Sequence, residues 1–361
     1  MSKNYDDYSS PIKNNGEGKS GMTALKVALA VIVALAVIFS AYSFLHTYNE
    51  EKNAPAPETQ DLVPMTAPET ESPATEPPAT EPPATEPPVV RTELEAADRA
   101  HSLVHSGSTV LVNSAYQYVF SAENNKLSNL YSNKTKSYKL ASSALNVQTE
   151  MLPYLNSMLD DLSAAVGSTN AIVQVAYRSL DDQKGIYDRY VAQNGEEKAV
   201  GNVSKPGESD FHTGYSVDLR LFSNSAYEQI RGTAEYNWLT ENCGKYGFVV
   251  RFPDAKADIT GITYDSGLCL RYVGIPHAAA MASLGWCLEE YALGISDYPY
   301  DGEHLTVDAP DGKTYEIYYC LAGMLGEGED ESKTITIYVP KDKPYTVTGN
   351  NADGFIIAAE K

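Results

Sequence analysis

Basic residues are scarce in this chain: across its 361 residues, 27 Lys and Arg stand against 48 Asp and Glu, for a formal charge of −21. Nucleic-acid binding is driven by Lys and Arg neutralising phosphates, so this balance excludes such a partner and fits a soluble acidic surface. Cysteine is sparse as well. Cys243, Cys269, Cys287 and Cys320 include no C-x-x-C pair, which argues against a structural zinc knuckle and leaves their pairing open. For at least two of them, burial as small apolar residues is the simpler reading.

Long apolar runs are missing except for one. Val27 to Leu45, VALAVIVALAVIFSAYSFL, carries no charge over about 19 residues, the length an α-helix needs to cross a bilayer core of ~30 Å. Lys3, Lys13, Lys19 and Lys26 precede it, whereas His46, Glu50, Glu51 and Lys52 are the first such residues after it. The bias predicts a cytoplasmic N-terminus (1–26), a signal anchor (27–45) and everything later outside the cell, where disulfides are permitted. A cleaved signal peptide is the rival, but the A-x-A-like site that it would carry is absent.

From Asn53 to Val90 the composition turns to Pro, Thr, Glu and Ala, and ATEPP occurs in succession from Ala74 to Pro88. Such a segment has too few apolar groups to offset its ordering entropy, and its prolines favour extended polyproline II. Residues 46–91 are therefore expected to form a stalk. At ~3.1 Å per residue it would hold the next domain on the order of 100 Å from the membrane, a distance suited to a thick cell wall.

Beyond the stalk, helix and strand patterns alternate. Leu152, Leu155, Leu159 and Leu162 recur at helical spacing, and AIVQVAYRS (Ala171 to Ser179) is short and β-branched, as a strand is. A helix from Leu180 to about Gln193, a Gly-rich loop and a strand YSVDLRLF follow. Next come a helix around Trp238 and Leu239, strands FVVRF and CLRYVG, and a single helix PHAAAMASLGWCLEEYAL opened by Pro276. The mixture predicts an α+β domain over 92–294. Short strands HLTVDAPDGKTYEIYYC, turning at Asp311-Gly312, and KTITIYVP predict a small β extension over 295–361.

Several segments then line up in order. VAYRS with Gln183, KPGESDFHTGYSVDL (Lys205 to Leu219), WLTENCGKYGFVVRFP, TGITY and LRYVGIPHA resemble the VanY-type D-alanyl-D-alanine carboxypeptidases over roughly residues 105 to 290. The resemblance implies a hedgehog/DD-peptidase-type fold and a zinc peptidase that removes the terminal D-alanine of peptidoglycan stem peptides. It also implies a His and an Asp ligand in S-x-H-x-x-G-x-A-x-D, a second His ligand and a Glu base in E-x-x-H, and an Arg in Y-R-S that steadies substrate charge. Three ligands leave a position for water, and the carboxylate takes its proton. By the same resemblance Arg178, Ser179, Gln183 and Ser209 fall at substrate-binding positions.

Carried over residue by residue, the pattern fails at the metal. Anchoring on Gly214 and Asp218 puts Phe211 on the first ligand position, with His212 one place late. Counting back from Arg271 puts Cys269 on the second His and Ser266 on the base, with Asp265 beside it. Only Asp218 stays in register. The preferred expectation is a pseudoenzyme without metal, whose Arg178 still recognises an acidic peptide end or serves a structural ion pair. Its partner would be a peptidoglycan stem peptide or another cell-wall or membrane protein. One alternative is an active zinc carboxypeptidase using His212, Asp218 and Cys269 with Asp265 as base; another pairs Cys269 with His212 as nucleophile and base. His277, Trp238 and Trp286 are expected to pack or cap.

Overall fold

The computed structural model of the chain describes residues 92–262, 267–323 and 333–361. The expected anchor and stalk, and the positions Asp265 and Ser266, lie outside these residues. Among the described residues no helix is long and apolar enough to cross a membrane.

The described chain begins with β1 (Leu94–Ala100), followed by the short strands β2 (Leu127–Asn129), β3 (Lys139–Leu140) and β4 (Asn146–Gln148). Helix α1 (Leu152–Val166) carries Pro153 in its first turn, where the missing N–H has no intrahelical partner to lose, and stops at Gly167 with φ +66°. Its Leu155, Met158, Leu159 and Leu162 are buried, as their spacing predicts. Next come β5 (Ala171–Val175), α2 (Leu180–Asn194), β6 (Ser216–Ser223), β7 (Ala226–Glu228), α3 (Ala234–Asn242), β8 (Phe248–Val250) and β9 (Leu268–Tyr272). Ser179 caps α2 by accepting the N–H of Asp182, one of the donors a helix start leaves unpaired.

The expected single helix from Pro276 is two: α4 (Ile275–Leu284) and α5 (Leu288–Gly294). Gly285 at φ +65° ends α4, and Glu290 reaches back to the Cys287 N–H to start α5, so the apolar periodicity hides a stop and a restart. Five strands follow: β10 (Leu305–Asp308), β11 (Thr314–Leu321), β12 (Thr334–Pro340), β13 (Tyr345–Gly349) and β14 (Gly354–Glu360). Gly312, at φ +82°, lies in the β10–β11 turn.

The central sheet runs β3-β5-β6-β9-β8, with β7 pairing β6, and is antiparallel except at β3–β5. Alternation divides it cleanly. Val217, Leu219 and Leu221 of β6 and Leu268, Leu270 and Tyr272 of β9 join the core under α1 and α3. Ser216, Asp218, Cys269 and Arg271 therefore occupy the opposite face.

A second sheet, β10-β11-β14-β13, packs Ile317, Tyr319, Ile356 and Ala358 against α4 and α5. Its Tyr318, Cys320, Phe355 and Ile357 meet a ribbon of β1 and β12. That ribbon crosses the expected boundary at residue 295, because β1 pairs with β12 from Leu94↔Pro340 to Ala100↔Thr334.

His277 is buried on α4, its Nδ1 2.7 Å from the Tyr291 hydroxyl, and burial holds its pKa down at about 4. The unfolded histidine takes up a proton below about pH 6.5, so this stability is complete above that pH and is lost as the pH falls towards 4. The loss should reach on the order of 3 kcal/mol. Urea unfolding at stepped pH should show a steeper decline in the wild type than in His277→Asn; equal slopes would contradict it.

Candidate functional site

The β6–β9 register sets Asp218 opposite Cys269 and Ser216 opposite Arg271 on the face away from the core. Onto this face folds a 3-10 turn, Asp210–Thr213, closed by Gly214 at φ +70°. A side chain at Gly214 would collide with Leu127, its Cβ 2.9 Å from Cδ2, so glycine is required by both conformation and space.

Asp210, 3% exposed, is the centre of the buried charge. Its Oδ1 accepts from Arg251 Nε at 2.9 Å and from Arg271 Nη1 at 2.7 Å, while Oδ2 accepts the Ser216 hydroxyl. Arg251 extends the network by a fork of bonds to Glu289 at 2.7 and 2.9 Å, and Arg271 Nη2 donates to the carbonyls of Ser108 and Val110. Burial alone would raise the Asp210 pKa, but Arg271 and Arg251, helped by Ser216, outweigh it and hold it at about 2.

Phe211, the next residue, points into a small apolar cluster with Phe252 and Cys269, bordered by Val175 and Ile262. The Arg178 guanidinium lies 4.8 Å from the centre of its ring. Phe211, Cys269, Asp218 and Arg178 are thus gathered around β6 and β9, and His212 is not. In a 3-10 turn each residue advances about 120°, so a histidine one place late faces elsewhere. The His212 ring is fully buried; its Nδ1–H donates to the Arg178 carbonyl at 2.8 Å and its Nε2 accepts the Gly207 N–H at 3.1 Å. Tyr118 and Phe120 pack on the ring, and burial lowers its pKa.

Those contacts bear on the alternatives read from the sequence. Both His212 nitrogens bond to backbone, an arrangement that leaves neither one turned to a metal or to Cys269 in this structure. The Cys269 thiol is buried, and burial with the Asp210 and Asp218 carboxylates pushes its pKa well above the usual value, which disfavours the thiolate that either role needs. Asp218 is buried with Arg220 Nε 3.7 Å from its carboxylate, and a Cβ at Gly267 would lie 2.2 Å from Asp218 Oδ1. Among the described residues no group of three or more His, Cys, Asp or Glu side chains could hold a metal ion. A zinc ion does not fit this donor set: a phenyl ring holds the first histidine position, and at the second stands a buried thiol packed in the same apolar cluster.

The four expected substrate-binding residues are placed unequally. Arg178 is half-buried, and its Nη1 donates to Gln183 Oε1 at 3.0 Å. Gln183 is buried and donates onward to the Ser204 carbonyl, so it holds the Arg178 guanidinium in place. Ser179 is the α2 cap, and Ser209 is buried with its carbonyl accepting the His212 N–H. Sequence reading passed over Asp210, Arg251, Arg271 and Glu289. The available signal was an arginine inside each of two apolar strands, FVVRF and LCLRYV, which buried strands carry only with a carboxylate to receive them.

All four cysteines are free and buried. Two cavities, of about 550 and 280 Å³, share Tyr118 and Asn124 in their walls, and neither is lined by Arg178, Asp218 or Cys269.

The sequence model of VanY, D-alanyl-D-alanine carboxypeptidase, matches residues 144–275. A D-alanyl-D-alanine carboxypeptidase of Enterococcus faecium is 30% identical over 256 residues, 70% of this chain and 75% of that protein. The solved structure of the vancomycin-resistance D,D-dipeptidase VanXYg, in complex with a D-Ala-D-Ala phosphinate analogue, superposes with a TM-score of 0.62 at 25% identity, covering 74% of this chain and 99% of that one. A VanY D,D-pentapeptidase variant in complex with Zn(II) is 29% identical, covering 51% of this chain and 98% of that one, with a TM-score of 0.41.

Replacing Asp210 with Asn leaves two buried guanidinium groups short of a counter-charge. Asp210→Asn should therefore lower the unfolding free energy measured in urea by about 3–5 kcal/mol. A loss below about 1 kcal/mol, the scale of an exposed pair, would show that the network does not hold the turn.

Proposed function

The chain belongs to the VanY-type D-alanyl-D-alanine carboxypeptidase family, and we propose that this member binds the acidic end of peptidoglycan stem peptides without cleaving them. The observation that carries the reading is Phe211. Its ring packs with Phe252 and Cys269 where the family pattern gathers ligands, and it supports the Arg178 guanidinium on its face. Apolar contact is what this arrangement stabilises, and a hydrated dication is what it disfavours.

Arg178 gives the remaining cleft its chemistry. A guanidinium presents a planar fork of donors matched to a carboxylate, and Gln183 and Phe211 fix its plane from two sides. Preorganisation of this kind favours recognition of a peptide C-terminus even where no base or metal follows it. The sequence supports the setting: an uncharged anchor over Val27 to Leu45 and a proline-rich stalk would present the domain outside the cell membrane at the wall.

The test uses the full chain purified without chelators. It should contain no stoichiometric zinc and should leave a pentapeptide ending in D-Ala-D-Ala intact, yet bind it. Arg178→Ala should weaken that binding by roughly 10-fold or more, the value of a charge-assisted hydrogen bond. Release of D-alanine in proportion to protein would overturn the non-cleaving part, and unchanged affinity in Arg178→Ala would overturn the role of the arginine.

A further inference from the structure

The two cavities share Tyr118 and Asn124 in their walls, so they lie side by side along the segment 118–126 as the two parts of a furrow. Tyr345 of β13, half-buried, lines the larger part; Phe120, 43% exposed, and Tyr177, the residue immediately before Arg178, line the smaller. Phe120 is held edge-on by Tyr118 at 4.8 Å and packs on His212 at 5.0 Å, so its exposed ring is fixed in place. Of the aromatic residues in these walls, Tyr177 and Tyr215 lie within the stretch matched by the family model, 144–275, and Tyr118, Phe120, Tyr345 and Phe355 lie outside it.

The charge in the furrow is balanced although the chain is strongly acidic. Arg99 and Lys126 face Glu123 and Glu150; Lys126 pairs with Glu123 at 3.6 Å and Glu150 accepts the Tyr215 hydroxyl. The smaller cavity carries no charged side chain at all, only aromatic rings, two asparagines and small residues. A wall without net charge that alternates ring faces with amides selects a neutral, polar ligand with flat apolar faces. Pyranose rings have that character, with C–H faces for stacking and hydroxyl and acetamido groups for amides.

We infer that this furrow is a binding site for a neutral β-linked amino-sugar chain, the glycan of the polymer whose stem peptide ends at Arg178. The inference rests on the carboxylate-binding reading for the identity of the polymer: Tyr177 of the smaller cavity is the residue before Arg178, although Arg178 itself lines neither cavity. Its length, spanning two cavities, fits an extended oligosaccharide better than a single small molecule.

Titration calorimetry of the detergent-solubilised full chain distinguishes the two parts by probe, using chitotetraose for the sugar and a sugar-free pentapeptide ending in D-Ala-D-Ala for the peptide. The wild type should bind chitotetraose, and Phe120→Ala and Tyr345→Ala should each weaken it by roughly 5- to 10-fold. Val200→Ala, an exposed change that lines neither cavity, should leave sugar affinity as it was. The inference is overturned if chitotetraose does not bind, if both aromatic variants bind it as tightly as the wild type, or if they weaken the pentapeptide alone, which would make the furrow a peptide site. Sugar binding without peptide binding would count against the carboxylate reading and leave the furrow assignment standing.

Discussion

One buried carboxylate organises the face on which the family's chemistry would stand. Asp210 joins a turn, two strands, a helix and the segment around Ser108 through Arg251, Arg271 and Glu289. Each of these ions would be costly in an apolar interior alone; together they satisfy one another and tolerate little displacement. The turn that carries Phe211 and His212 is consequently fixed by charge on one side. On the other, His212 clamps the backbone at Gly207 and Arg178.

That double fixation explains how a peptidase framework persists with different contents at its centre. Protein groups on both sides hold the loop in its shape. The position next to Cys269 is then open to packing, and Phe211 fills it together with Phe252. Arg178 remains in place because the same turn accepts its backbone N–H at the Phe211 carbonyl, donates the His212 ring N–H to its carbonyl, and offers the ring of Phe211 to its guanidinium. The phenyl ring beside Cys269 and the ordered arginine follow from one local geometry.

Much of this was legible in the residues where the information is local. The spacing of Leu155, Leu159 and Leu162 marks α1, and Gly214 and Asp218 fix the register that puts Phe211, rather than His212, beside Cys269. What escaped is non-local. Nothing within FVVRF or SDFHTG states that Arg251 and Asp210 meet, and β1 gives no local sign that its partner is β12 at the far end of the chain. The break at Gly285 was missed for the opposite reason: apolar periodicity continued through a residue whose left-handed backbone ends the helix.

Under the proposed reading this fold is held by Asp210 and His212 and not by a bound metal. Any ion that binds the folded state raises its unfolding temperature in proportion to the logarithm of its free concentration above the dissociation constant. The most direct measurement is therefore the thermal midpoint of the full chain across a zinc titration and in excess chelator. The account predicts one midpoint throughout, and a midpoint that climbs with zinc and falls with chelator would contradict it.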